Sequence, residues 1–353
     1  MIKGKFYSAK CEENKYSKEL QNCIEEACEY CLSSVSLHYD DLIKKEKRPL
    51  MMLGKIQSGK TSAFTGLMAL AFDNGFDMVI ILTKNSVPLI QQTYKRMRRE
   101  FATPIREEEI DVINIMKALK GLTGYELNKK LIIVSKKETR NLDRISNFIS
   151  EYTIDQRKFC LIIDDEADTT GIGFTKIKES DNEFDLRTIA AKVNMLRGNL
   201  SGYAFVQVTA TPYALYLQPE FNEGIIEPIK PKLTVLVPSG KGYIGGEYYF
   251  LKSREEGHPA RFIFEEVSID EHSIITMKKW DRRRFKEEEL LTKQDKPLTF
   301  KRGLMNFIVG GCFLRMTDRK ARYAYVIHTN TQQGVSGWFK WWSKAGLNCS
   351  TTG

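Results

Sequence analysis

Continuous, mostly apolar runs set the pattern of this chain. Met78-Val79-Ile80-Ile81-Leu82, Asp111 to Ile115, Leu131 to Val134, Phe159 to Ile163 and Phe205 to Val208 follow a shorter run at Leu50-Met51-Met52-Leu53. Runs without polar alternation are strands buried on both faces, as in a parallel sheet covered by helices. The segments between them are long enough for crossover helices, so the pattern predicts an α/β fold around a central parallel sheet. Ligands on such sheets sit beyond the carboxyl ends of the strands, and the residues just after each run are therefore the ones to inspect.

Between Tyr16 and about His38 the apolar positions Leu20, Cys23, Ile24, Ala27, Cys31 and Val35 share one face of a helix. Cys28 and Cys31 form a C-x-x-C, but no second pair with zinc spacing follows, so helix packing is the leading reading over metal binding. Thr61 to Phe72 reads as an apolar helix stopped by Asp73-Asn74-Gly75. Further on, Leu233 to Val237 and Arg261 to Phe264 look like strands of an accessory insertion, and Gly240-Lys241-Gly242 like a hairpin turn. Leu304, Phe307, Ile308 and Leu314 suggest a helix, and Tyr323 to His328 a strand.

Composition narrows the setting. With 353 residues and 42% hydrophobic content the chain can fill two domains. No apolar run reaches the length of a membrane span, and the first residues lack the apolar core of a signal peptide, so no membrane partner is expected. Seven thinly spread cysteines argue against a disulfide scaffold and for a reducing cytoplasm. The net charge of +9 permits a polyanionic partner; Lys278 to Arg302, with ten basic and five acidic residues, either tracks phosphates or is a solvated linker.

The strand ends carry the chemistry. After the first run comes Gly54-Lys55-Ile56-Gln57-Ser58-Gly59-Lys60-Thr61, with the glycine, lysine and hydroxyl spacing of a phosphate-binding loop. Its backbone N–H groups and the start of the next helix would cradle polyphosphate oxygens, Lys60 would meet the β- and γ-phosphates, and Thr61 would bind Mg²⁺. Gly54, Gln57, Ser58, Gly59, Lys60 and Thr61 are thus the nucleotide-binding candidates. After Phe159 to Ile163 comes Asp164-Asp165-Glu166-Ala167-Asp168. Acidic residues at the end of a buried strand are costly unless a cation or donors await them. Asp165 is the candidate for the cation and Glu166 for the base that deprotonates water, with Asp164 competing for the metal role and helix capping as the plainer alternative. Thr209-Ala210-Thr211-Pro212 ends the last run, and its two hydroxyls can bond a carboxylate on the neighbouring strand, Asp168 being the obvious partner.

Taken together, Gly54 to Thr61, Asp165-Glu166-Ala167-Asp168 and Thr209-Ala210-Thr211 resemble motifs I, II and III of superfamily 2 nucleic-acid helicases of the DEAD type, in order. The resemblance implies a RecA-like P-loop NTPase domain using ATP and Mg²⁺, with Lys60, Asp165 and Glu166 catalytic and Asp168, Thr209 and Thr211 as a coupling relay. It also implies nucleic acid, DNA ahead of RNA, bound across the top edge of the sheet. By position Thr83, Lys84 and Gln92 resemble motif Ia, and Ser135 and Lys136 motif Ib, both of which contact the nucleic-acid backbone; surface helix caps are the alternative. The three motifs, with Pro238 to Gly246, are also similar to bacterial helicase-like proteins carrying the Z-one domain, which occur in restriction and anti-phage settings and imply partners in a defence system.

The DEAD-type pattern fails at one point: its adenine-reading glutamine would lie a short distance upstream of the loop, where the nearest earlier glutamine is Gln21, inside the predicted helix. The organisation expected is an N-terminal helical segment over 1–48, a first RecA-like domain over 49–215, an insertion with a basic linker over 216–300, and the opening of a second RecA-like domain over 301–353, completed by a C-terminal part beyond Gly353. Nothing in the last segment resembles motif VI, so slow hydrolysis is expected of these residues alone. The functional expectation is the ATP-binding part of a helicase or translocase; the alternative is a nucleotide-gated binding switch that unwinds nothing.

Overall fold

The computed structural model describes residues 1–36, 48–117, 123–152, 159–168, 174–176, 184–186, 188–200, 202–217, 230–276, 298–320 and 322–323. The chain divides into two compact units, Met1–Tyr243 and Ile244–Gly353.

The first unit is an α/β fold of the Rossmann or RecA-like kind. Two helices, α1 (Lys5–Asn14) and α2 (Lys18–Ser36), precede β1 (Leu50–Leu53), α3 (Lys60–Asp73), β2 (Phe76–Thr83), α4 (Val87–Glu100), α5 (Ala102–Arg106) and β3 (Ile110–Asn114). Then come α6 (Gly124–Asn128), β4 (Lys130–Lys136), α7 (Thr139–Glu151), β5 (Phe159–Asp165), the short β6 (Phe174–Lys176) and β7 (Phe184–Leu186), α8 (Thr188–Gly198), β8 (Tyr203–Thr209), α9 (Tyr213–Tyr216) and β9 (Leu233–Leu236). Seven strands form one sheet in the order β3-β4-β2-β5-β8-β1-β9, and every pair in it is parallel. The small β6–β7 pair is antiparallel.

The apolar runs form strands because alternate residues serve two separate cores. Leu50, Met52, Val79, Ile81, Val134, Leu161, Ile163, Val206 and Val208 point to one face and pack with residues of α1, α2, α3 and α4. Met78, Ile80, Leu82, Ile133, Cys160, Ile162 and Phe205 point to the other, against Leu142, Ile145, Phe148 and Ile149 of α7 and Ala190, Val193 and Leu196 of α8. Each fully buried aliphatic side chain contributes about 1.5–3 kcal/mol, which is why neither face tolerates polar alternation.

The N-terminal helices belong to this core. Phe6, Tyr7, Ile24, Ala27, Cys28 and Cys31 are buried in the same cluster as Phe64, Leu67 and Phe72 of α3. Cys28 and Cys31 pack as small hydrophobes, with burial pushing both thiols up, Cys28 to about 12. The Asp73 carboxylate at the end of α3 accepts the backbone N–H groups of Phe6 (3.2 Å) and Tyr7 (2.9 Å), satisfying donors at the start of α1 that no residue of α1 could. Ile2 and Asn74 exchange two further hydrogen bonds of 2.7 Å each.

The first unit runs past the expected boundary at residue 215. Leu233–Leu236 is not an accessory strand; it pairs in register with β1 as the edge of the main sheet, because β1 would otherwise offer an unpaired edge. The stretch Arg261 to Phe264, expected as a strand, forms none: Arg261 and Phe262 close a 3₁₀ turn at Pro259–Phe262, where Pro259 presets the helical φ, and no strand pairs with the stretch among the described residues. The described residues of the second unit also form short helical turns at Glu247–Leu251 and Lys252–Arg254, then α10 (Ile269–Thr276) and α11 (Leu298–Thr317). Glu271 of α10 accepts the N–H groups of Thr299 (3.2 Å) and Phe300 (2.9 Å) at the start of α11. Most of the expected basic linker, and residues 324–328 of the expected last strand, lie outside the described residues. Among the described residues, no helix is long and apolar enough to cross a membrane.

Candidate functional site

Three neighbouring strands, β1, β8 and β5, end at the same edge of the sheet and deliver the three sequence motifs side by side. The loop after β1 leaves the sheet at Gly54, whose N–H donates to the Thr209 carbonyl of β8 at 3.1 Å. A Cβ at Gly54 would sit 2.8 Å from Lys60 Cγ, 3.0 Å from Ser58 Oγ and 3.1 Å from Val237 Cβ, so only glycine lets the loop curl this tightly. Gln57 (φ 58°) and Gly59 (φ 103°) adopt left-handed backbone, and α3 starts immediately after with no acidic residue in its first turn. Its N-terminal N–H groups could therefore receive an anion.

Lys60 Nζ donates to the loop's own carbonyls, Gly54 O at 3.2 Å and Lys55 O at 2.9 Å. Burial lowers its pKa, while the carboxylates of Asp165, Glu166 and Asp168 pull it back up, which places the ammonium within the field of all three acids. Ser58 Oγ is buried and, among the described residues, without a hydrogen-bond partner. A glycine cradle, a hydroxyl with no partner among the described residues and an ammonium held by neutral carbonyls fit a polyphosphate guest.

Across β8 lies the acidic strand end. Asp164 is buried and ion-paired with Lys137 at 2.8 Å, whereas Asp165 is partly open and Glu166 exposed. Burial pushes the Asp165 carboxyl up to about 6, with the neighbouring Glu166 charge adding to the rise and Lys137 opposing it. Glu166 stands at φ 54°, in the left-handed region that a residue with a side chain rarely occupies. Its carboxylate lies 3.8 Å from the ammonium of Lys84, a solvent-exposed pair. No group of three or more His, Cys, Asp or Glu side chains among the described residues could hold a metal ion. The Asp165 carboxylate and the Thr61 hydroxyl are the hard oxygen donors here that could hold a cation.

The hydroxyls of Thr209 and Thr211 both donate to the Asp168 carboxylate, Thr209 at 2.8 Å. Thr211 N–H donates to Thr209 Oγ1 at 3.0 Å, and Ala167 N–H donates to Val208 O at 3.2 Å. Because β8 sits between β1 and β5, this cluster touches both motif-bearing neighbours.

The residues expected to meet nucleic acid divide. Thr83 and Ser135 are buried: Thr83 Oγ1 donates to Ser135 O at 3.3 Å and Ser135 Oγ to Lys136 O at 3.1 Å, so both hydroxyls serve the sheet and are withdrawn from solvent. Lys84 and Gln92 are exposed, and Lys136 lies 3.7 Å from Glu138.

Two residues of the site escape motif reading. Lys137 joins the end of β4 to the acids, its ammonium meeting the Asp164 carboxylate and the carbonyls of Asp165 and Glu166. Tyr243 donates its hydroxyl to Ile56 O in the phosphate loop at 2.8 Å, with the Lys55 ammonium over its ring. Gly240-Lys241-Gly242 is accordingly not a hairpin turn: Tyr243 N–H closes a turn on Gly240 O, and no strand follows among the described residues. The one signal in the sequence was the unusual Pro238 to Gly246 stretch itself.

The raised Asp165 pKa has a measurable sign. A carboxyl held above its ordinary value in the fold supports stability at low pH and withdraws that support as pH rises through about 6. Asp165→Asn is therefore expected to melt several degrees above the parent at pH 7 without nucleotide, the advantage fading below about pH 6. A calorimetric scan showing an unchanged or lower melting temperature at pH 7 would contradict this.

No protein-family model and no curated protein matches the chain. Among solved structures, a chain of the E. coli MS115-1 HORMA:CdnC:Trip13 complex is similar at 11% identity over 76% of this chain and 79% of that one, with a TM-score of 0.20. A likeness of that size carries no argument about fold or function.

Proposed function

We propose that this chain is the ATP-binding part of a superfamily 2 nucleic-acid-dependent ATPase, a helicase or translocase acting on DNA in bacterial defence or restriction. The observation that carries the reading is the meeting of the glycine-curled loop, the acidic strand end and the paired threonine hydroxyls at one edge of three adjacent strands.

Magnesium-bound ATP, when present, supplies the phosphoanhydride bond whose hydrolysis drives the cycle. Lys60 exchanges the Gly54 and Lys55 carbonyls for phosphate oxygens, an ion pair in place of two bonds to neutral acceptors. Thr61 and Asp165 hold the cation, and Glu166 orients a water molecule and takes its proton. Asp168, clasped by Thr209 and Thr211, ties the acids to β8 and through it to the loop, so that movement at either is felt at both.

A second reading, a nucleotide-gated switch, is favoured by one observation: Thr83 and Ser135 are buried and so offer no hydroxyl to a nucleic-acid backbone. ATP turnover by the full chain, measured against DNA of increasing length, separates the two. A rate that climbs with length supports the translocase. Stimulation independent of length supports the switch, and no binding of ATP in calorimetry overturns both.

A further inference from the structure

Lys137 has one of the least expected environments in the molecule: a lysine whose side chain has no exposed surface, beside an aspartate only 2% exposed. A buried ammonium is costly unless every donor is used. Lysine has three; two are used in hydrogen bonds here, and the buried Asp164 carboxylate balances the charge as an ion pair. Lys137 Nζ meets Asp164 Oδ1 at 2.8 Å as an ion pair, and donates hydrogen bonds to Asp165 O at 3.1 Å and Glu166 O at 2.8 Å.

The route to those partners is long. Lys137 directly follows β4, and its own N–H is fixed to Thr83 O of β2 at 2.8 Å. Since β2 lies between β4 and β5, the side chain passes over the end of one strand to grip the next but one. What it grips there are the main-chain carbonyls of the two residues assigned above to cation and water. A carbonyl's direction is set by ψ of its own residue, so an ammonium that holds both oxygens restrains the backbone of Asp165 and Glu166. Glu166 needs such restraint, since its left-handed backbone is unfavourable for a residue with a side chain and surrounding contacts must outweigh that strain.

We infer that Lys137 is a positioning residue for the acidic strand end, holding Asp165 and Glu166 toward the phosphate loop, and that Asp164 serves it as counter-ion instead of serving the metal. This deepens the proposed function and rests on it. An ion pair that merely stabilised a sheet would not need its ammonium to bind two consecutive carbonyls of the site, as this one does.

The test uses the full chain and removes the pair together, Lys137→Met with Asp164→Leu, because Lys137→Met alone strands a buried carboxylate. Nucleotide affinity is measured by calorimetry in EDTA and again in Mg²⁺. The double variant is expected to keep the parental affinity in EDTA, where the loop acts alone. It should lose about tenfold or more of the gain that Mg²⁺ confers, the size typical when residues orienting metal ligands are removed. Its kcat should fall, and its KM for Mg²⁺-bound ATP should rise in step with the lost Mg²⁺ gain. A folded double variant with the parental Mg²⁺ gain and kcat overturns the inference. So does a double variant that does not fold, since the pair would then be a support for the whole sheet. If the parent itself binds no nucleotide in either buffer, the functional reading fails first and this role falls with it.

Discussion

Lys60→Ala is expected to weaken nucleotide binding by about 10²- to 10⁴-fold, on the basis of two charge-assisted hydrogen bonds of about 1.5–3 kcal/mol each. Its ammonium is positioned for the task by the loop itself, held by the Gly54 and Lys55 carbonyls at 3.2 and 2.9 Å and drawn by three carboxylates across the cleft. Alanine keeps the helix going, since position 60 opens α3 and alanine is the strongest helix former. Loss of affinity would thus report on the phosphate contact and not on unfolding, a point that circular dichroism of the same sample checks. Calorimetry with ATP and Mg²⁺ showing parental affinity would remove the loop from the nucleotide site.

Glu166→Gln separates binding from chemistry. Glutamine preserves size and hydrogen bonding but cannot accept the proton of an attacking water, and loss of a general base costs about 10²- to 10⁴-fold in rate. The exposed pair with Lys84 at 3.8 Å is also lost, with little energetic effect, because surface ion pairs contribute about 0–1 kcal/mol. Nucleotide affinity should stay at the parental level while single-turnover hydrolysis by the full chain falls by at least two orders of magnitude, about 3 kcal/mol of barrier. Retained hydrolysis would transfer the proton-accepting role to another residue.

Much of the fold could be read from the apolar runs because a strand buried on both faces leaves a signal within four or five consecutive residues. Met78 to Leu82 and Phe159 to Ile163 are of this kind, and each lies in a central strand of the sheet. The phosphate loop and the acids were equally local, their spacing being a property of adjacent residues. What stayed hidden depends on partners far away in the chain. Helix α1 is stabilised at its start by Asp73, 66 and 67 residues distant, and its buried Lys10 breaks the apolar stripe that would have marked it. Lys137 reads as an ordinary polar residue after a strand until β5 is placed two positions away in the sheet. Leu233–Leu236 looked like part of an insertion because nothing in four residues tells an edge strand of the main sheet from a strand elsewhere. Thr83 and Ser135, both buried, are ambiguous in sequence for a related reason: small hydroxyl residues at strand ends suit both a ligand contact and a buried bond to the next strand.

The contacts of Asp73 and Asn74 with the first residues give helix α3 a second task. One end of this rod bears the loop lysine, and the other, about 20 Å away at 1.5 Å per residue, is latched to Ile2, Phe6 and Tyr7. A dye on the amino terminus would therefore sit at the opposite end of the same helix from the proposed nucleotide loop, where it would not obstruct that loop.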